Sequence, residues 1–175
     1  MKLLKTVLFL TLIVTVFNPV KAQQRGLNFA VTTVIKDYLE IKSGLFANNA
    51  GTAQNKAGKL VWDLNTVPTK DMTSQQHAAW FDFLARLQRS AREISESNSL
   101  SYQRKHFSAL SNTLYSTLKG MKMTPFPMYR MYSQSNDSYW LSDGSAIKNP
   151  YYGSVGTLSK DGVVKEIVPA DPIKK

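Results

Sequence analysis

Between Leu27 and Leu118, apolar residues return every three or four positions, the spacing that gathers side chains onto one face of an α-helix. The first run, Leu27 to Phe46, carries Leu27, Val31, Val34, Ile35, Tyr38, Leu39 and Leu45. The second, Asn48 to Val67, has a stripe of Ala50, Ala53, Ala57, Leu60, Val61 and Leu64, with Asn48 or Asn49 placed to cap it and Pro68 to end it. Gly51 and Gly58 weaken this helix by about 1 kcal/mol each relative to Ala. Small residues on the stripe in turn let a neighbouring helix approach closely. Thr73-Ser-Gln-Gln76 has the capping-box form and opens a third helix, on which His77, Trp80, Leu84, Leu87, Ala91 and Ile94 repeat. A fourth starts at Asn98 or Ser99, carries Leu100, Gln103, Phe107, Leu110, Leu114 and Leu118, and has Gly120 in place as its C′ residue. Four helices with short joints predict an all-α fold, an antiparallel up-down four-helix bundle.

The helical rhythm breaks at Pro125. From there to Gly153 the chain reads PFPMYRMYSQSNDSYWLSDGSAIKNPYYG, dense in Tyr and Trp and interrupted by Pro127, Gly144 and Pro150. Rings bury large apolar areas, while breakers prevent a regular period. The expectation is an irregular, aromatic-rich C-terminal layer over residues 125–153, locked onto the helices by Trp140, Tyr151 and Tyr152. Beyond it, Asp161-Gly162 between two apolar-leaning runs predicts a short β-hairpin over about 154–168. Pro169 and Pro172 lead into a polar end, and residues 23–175 are expected to form one domain.

Residues 1–22 have the form of a signal peptide: Lys2 and Lys5, an apolar run from Val7 to Phe17, and Val20-Lys21-Ala22 as a small-residue cleavage pattern. The run is too short for a stable bilayer anchor, so no transmembrane anchor is expected after cleavage. An exported chain, periplasmic or secreted in a bacterial-type envelope, is the expectation. The sequence holds no Cys, so it forms no disulfide and carries no lipid-anchoring thiol. The formal charge of +10 falls to +7 without Lys2, Lys5 and Lys21. In an exported protein that balance favours anionic lipid or envelope polymers over nucleic acid. The charges are dispersed, as on a solvated surface.

Catalytic patterns are scarce. There is no thiol nucleophile, no Gly-x-Ser-x-Gly elbow and no His-Glu-x-x-His helix. Ser116–Lys119 and Ser145–Lys148 match Ser-x-x-Lys without its companion motifs, and the Ser116 copy lies inside the fourth helix. Glu93 and Glu96 stand among Arg86, Arg89 and Arg92, as on a charged solvated face. An enzyme is not expected.

Three stretches carry a resemblance: QRKHFSALS (Gln103 to Ser111), FPM (Phe126 to Met128), and YWLSDGSAIKNPYYG (Tyr139 to Gly153). Together they resemble the envelope domain of unknown function found beside, or fused to, heavy-metal efflux adaptor proteins. That pattern runs Q-R-x-x-F-x-x-L-S, C-P-M, W-L-S, N-P-Y-[FY]-G and M-x-x-C-G. The resemblance implies a structural or partner-contact role for Gln103, Arg104, Phe107, Trp140, Asn149, Pro150, Tyr151, Tyr152 and Gly153, and a soft-metal site, with copper the expected metal, at the Cys and Met positions. Here Phe126, Gly156 and Ser159 stand near three of those positions, and only Met128 of that set is retained.

The expected function is therefore a non-enzymatic accessory or binding module of the envelope, related to metal-handling domains but without their thiolate site. It would have a protein partner such as an efflux adaptor and no required cofactor. The alternative is a Cu(I) site rebuilt from Met121, Met123, Met128, Met131, His77 and His106, since thioethers suit Cu(I). Against it stands the ordinary use of methionine to fill irregular gaps in a core.

Overall fold

The computed structural model describes residues 19–171, with side chains from Arg25 onward. The leader expected over residues 1–22 lies outside them except for Pro19–Ala22, which belong to the first helix. The polar end after Asp171 also lies outside.

Four helices come first: α1 (Pro19–Phe46), α2 (Ala50–Thr66), α3 (Ser74–Ser95) and α4 (Leu100–Met121). The N-termini of α2, α3 and α4 are set by side chains that the sequence offered. Asn49 Oδ1 accepts from the Thr52 amide at 2.9 Å, and Ser99 Oγ from the Tyr102 amide at 3.4 Å. Thr73 and Gln76 exchange both bonds of a capping box. Each cap satisfies an amide that the helix itself leaves without a partner.

The C-termini of α1 and α4 depend on left-handed residues that are not glycine. α1 closes at Asn48 (φ 56°), where the Asn49 amide donates to Gly44 O and the Asn48 amide to Leu45 O. α4 passes Gly120, expected as its C′ residue, and closes at Lys122 (φ 48°). There the Met123 amide donates to Leu118 O and the Lys122 amide to Lys119 O. Both are Schellman pairs. Gly120 has a different use: a Cβ on it would stand 2.9 Å from Ala79 Cβ, so it lets α4 approach α3 closely.

Consecutive helices pack together. Gly44 of α1 meets the backbone of Ala53 in α2, Lys59 of α2 reaches Asp37 of α1, and Gln88 of α3 donates to Asn65 of α2. Tyr38 of α1 stacks on Phe107 of α4. The core between them is led by Leu27, Ile35, Tyr38, Trp80, Leu87 and Phe107.

The C-terminal third is more regular than the sequence suggested. It forms a three-stranded antiparallel sheet of β1 (Met128–Ser133), β2 (Ser138–Ser142) and β3 (Val163–Val168), in the order β2-β1-β3. The hairpin is β1–β2, turning through residues 134–137 with Asp137 at φ 45°. The hairpin expected over 154–168 does not form. Its first arm holds a 3-10 turn (Thr157–Lys160), and its second arm is β3, which pairs with β1. The reason lies at Gly162, where a Cβ would stand 2.7 Å from Trp140 Cη2 and 3.1 Å from Ile147 Cγ2. Asp161-Gly162 thus carries the chain tightly past an indole ring. β1 shows no polar–apolar alternation because both of its faces are covered. Met131 and Ser133 are buried on one, while on the other the Arg130 guanidinium lies 4.0 Å from the Tyr115 ring centroid and 4.1 Å from that of Tyr139. Among the described residues, no helix is long and apolar enough to cross a membrane.

Candidate functional site

The first turns of α4 hold the ends of three other segments. Gln103 is fully buried, and its carboxamide nitrogen donates to Ser97 O (2.7 Å), Ala50 O (3.0 Å) and, at the end of α3, Ile94 O (3.4 Å). Arg104 donates through Nε to Pro150 O (2.9 Å) and through Nη2 to Leu45 O (3.0 Å) and Asn48 Oδ1 (2.6 Å). Leu45 O is among the last carbonyls of α1, where a cation complements the helix dipole. One planar guanidinium therefore ties α1, the α1–α2 joint and the C-terminal layer to α4. Burial lowers its pKa from the ordinary arginine value.

The layer docks through its own motif residues. Asn149 is fully buried; its Oδ1 accepts from the Tyr151 amide at 2.9 Å, an Asx turn, while its Nδ2 donates to Asp161 O at 2.6 Å. Gly153 sits at φ +79°, and a Cβ on it would overlap Asn48 Oδ1 at 2.2 Å. Phe107, stacked on Tyr38 at 5.0 Å, also meets Tyr151 at 6.1 Å, and Trp140 meets Tyr151 edge-on at 6.1 Å. Ser111 Oγ donates to Phe107 O, so the Tyr38 hydroxyl donates to Ser111 Oγ (2.8 Å) and accepts from the Leu141 amide (2.9 Å). Burial raises the pKa of the Tyr38 and Tyr151 hydroxyls well above the usual phenol value. Of the nine framework residues named from the sequence, seven are buried and only Arg104 and Tyr152 keep appreciable surface.

Lys42 of α1 was missed at the sequence level. It is 5% exposed, and its Nζ donates to Ser142 Oγ at 3.0 Å and pairs with Asp143 at 3.4 Å. Burial lowers its pKa, and the Asp143 carboxylate partly offsets this. The signal was present: Lys42 follows Tyr38 by four positions and precedes Leu45 by three, within the core stripe.

The candidate metal ligands are divided. Met121, Met123, Met128 and Met131 are all buried in the hydrophobic core cluster. His77 is exposed and tilted against Phe81, whereas His106 is half-buried against Tyr102. The two imidazoles lie at different ends of the α3–α4 pair. His77 follows Gln75, whose side chain reaches Gly120 O at the end of α4, and Tyr102 bonds Glu93 near the end of α3. Among the described residues, no three His, Asp or Glu side chains converge as a metal-holding group. At the positions where the resemblance implies ligands, Phe126 packs on the core and Ser159 Oγ donates to Gly156 O at 2.7 Å. Gly156 takes φ 87°, ψ 171°, a conformation essentially confined to glycine.

Beside the joint lies an open polar cleft of about 500 Å³, lined by Ser101, Arg104, Lys105, Ser108, Asn136, Ser138 and Tyr151. Ser101, Arg104, Lys105 and Ser108 form one helical stripe of α4, and the β1–β2 turn closes the opposite side. Ser108 Oγ donates to Ser138 Oγ at 3.2 Å across it. Among the described residues Arg104 is bound only by neutral oxygens, and neither Arg104 nor Lys105 pairs with a carboxylate. Two cations, several hydroxyls and a carboxamide suit an anionic group.

A domain of four helices carrying a small antiparallel sheet is the class that this architecture defines. A family model described as "Protein of unknown function (DUF3347)" matches residues 34–125, more than half of the chain, and the chain belongs to that family. The matched segment runs from within α1 to Pro125, so the sheet and the Asn149–Gly153 loop lie beyond it. Searches of curated proteins and of solved structures each returned no match.

Proposed function

We propose that this chain is an exported, non-enzymatic accessory module of the cell envelope that binds an acidic segment of a protein partner, with a heavy-metal efflux adaptor the first partner to test. The observation that carries this reading is the cleft beside Arg104 and Lys105, two cations without a carboxylate among the described residues. A half-buried charge favours an anionic complement where its own chain supplies none. The motif residues further in hold the two walls of that cleft in place. The same reading takes the four helices as an up-down bundle. Its support is that Gln103 and Arg104 reach the ends of α1 and α3 and the start of α2 from the first turns of α4.

Fluorescence anisotropy with a labelled glutamate-rich peptide tests the proposal. Binding should weaken with added salt and with Lys105→Glu. Absence of binding, or binding indifferent to both, overturns it. The relationship to metal-handling domains is retained without a required cofactor. The competing reading, Cu(I) held by thioethers, draws on the presence of all four methionines in one core cluster. A competition assay decides it: one tightly held Cu(I) per chain, lost in the Met128→Ala/Met131→Ala protein, would establish that reading in place of ours.

A further inference from the structure

Among the described residues, β3 lies at the edge of the sheet, paired with β1 on one side only. Val163, Val164 and Ile167 on it are 50%, 40% and 57% exposed, and the preceding loop adds Val155 at 78% and Leu158 at 41%. Five of the nine large exposed hydrophobic side chains among the described residues thus fall within residues 155–167. An apolar edge strand is a template for another strand, and edges are ordinarily protected by a lysine or a bulge. β3 has both. β1 pairs Arg130 with Glu166 and Met131 with Val164, so Lys165 is the extra residue with no partner on β1. Its Nζ lies over the Tyr132 ring at 5.1 Å, and among the described residues it makes no ion pair.

These features select a partner. We infer that β3 pairs antiparallel with β3 of a second copy of this chain, about a two-fold axis between Lys165 and Glu166, joining two sheets into one of six strands. In that register Val163 opposes Val168, Val164 opposes Ile167, and Lys165 opposes Glu166, each of the second copy and each twice. Registers shifted by one residue set Lys165 against Lys165 or Glu166 against Glu166. Those shifted by two set both charges against apolar residues, and parallel in-register pairing opposes like charges. Only the central antiparallel register neutralises every charge. A two-fold axis needs one strand position that opposes itself, and the bulge supplies it: Lys165 and Glu166 share the position opposite Arg130, with Val164 and Ile167, and then Val163 and Val168, placed symmetrically about it. Glu166 has room for the new partner. Its oxygens take one bond each, from the Tyr115 hydroxyl at 2.5 Å and Lys119 Nζ at 3.0 Å, and each keeps a further lone pair. The lysine that deters indiscriminate edge pairing becomes the residue that sets the register.

The absence of native cysteine makes the register directly testable. In sedimentation experiments, the purified full chain should rise toward twice the monomer mass with concentration. Val164→Cys/Ile167→Cys should oxidise to a covalent dimer on a non-reducing gel. Val164 and Ile167 stand opposite Met131 and Tyr129, about 7 Å apart along the strand and at the limit of disulfide reach, so migration at twice the monomer mass is the readout that counts. Val163→Cys/Ile167→Cys, out of register, should not cross-link. Lys165→Glu should weaken association about tenfold or more, and Lys165→Arg should preserve it. A native chain that stays monomeric, leaving the edge to some other extended segment, overturns the inference. So does equal cross-linking of the out-of-register pair, or a dimer indifferent to Lys165→Glu in a protein with native circular dichroism.

Discussion

Arg104 offers the sharpest test of how this fold is held. Arg104→Ala removes three donor contacts, to Pro150 O, Leu45 O and Asn48 Oδ1. Hydrogen bonds to a charged donor contribute about 1.5–3 kcal/mol each when fully buried. Arg104 is half-buried, so water replaces part of the loss, and the freed guanidinium desolvation returns more. A net cost of about 2–4 kcal/mol follows, equivalent to roughly 4–16 °C in Tm for a domain of this size. Arg104→Lys should recover little, because a single ammonium cannot span three acceptors on separate segments. Urea denaturation followed by circular dichroism reads the effect, with Lys105→Ala on the next residue as a control expected within about 0.5 kcal/mol. A double-mutant cycle with Asn48→Gly isolates one arm while keeping the left-handed backbone at Asn48 (φ 56°), and a coupling of about 1 kcal/mol is expected. An Arg104→Ala midpoint within error of the native protein would refute the claim that this side chain is the joint.

Three further outcomes follow from the same geometry. Trp140→Ala should cost about 3–5 kcal/mol, since the indole is 1% exposed and packed against Gly162 and Tyr151; an unchanged melting temperature would contradict that packing. Gly153→Ala combines a left-handed backbone with overlap on Asn48, so it should lose at least about 2 kcal/mol and show little further loss when Arg104 is also removed; additive losses would separate the two contacts. Lys42 has a folded pKa below its ordinary 10.5, so the unfolded chain binds the extra proton and stability rises with pH between the two values. Lys42→Met should remove that rise, measured by urea titrations at successive pH values, and leave neutral-pH stability equal or higher; a large loss at neutral pH would show that its bond to Ser142 outweighs the burial of its charge.

The helical half was legible because its information is local. Asn49, the Thr73/Gln76 box and Ser99 each cap within three residues, and the stripe from Leu27 to Leu45 needs only a 3.6-residue period. The helix C-termini were harder, since Lys122 adopts the left-handed turn that composition assigned to Gly120. What placed Gly120 inside α4 was contact with Ala79, some forty residues away in sequence. The sheet was hidden for a related reason. β1 is covered on both faces, so it carries no period of two, and the Asp161-Gly162 turn signal reflects passage past Trp140. Motif residues such as Gln103, Arg104 and Asn149 were legible as a set, but their inward direction was not. The cleft was invisible in sequence, because its walls, α4 and the β1–β2 turn, meet only in the folded chain.

The claim that this chain works through a partner's acidic segment, and not through a soft metal, reduces to a single NMR experiment on protein labelled at its backbone amides and methionine methyls. Addition of a glutamate-rich peptide should shift the amides of Ser101, Lys105, Ser108 and Asn136, and addition of Cu(I) should leave the methyls of Met121, Met123, Met128 and Met131 in place. Methyl signals that move stoichiometrically with Cu(I), beside cleft amides that ignore the peptide, would contradict the account.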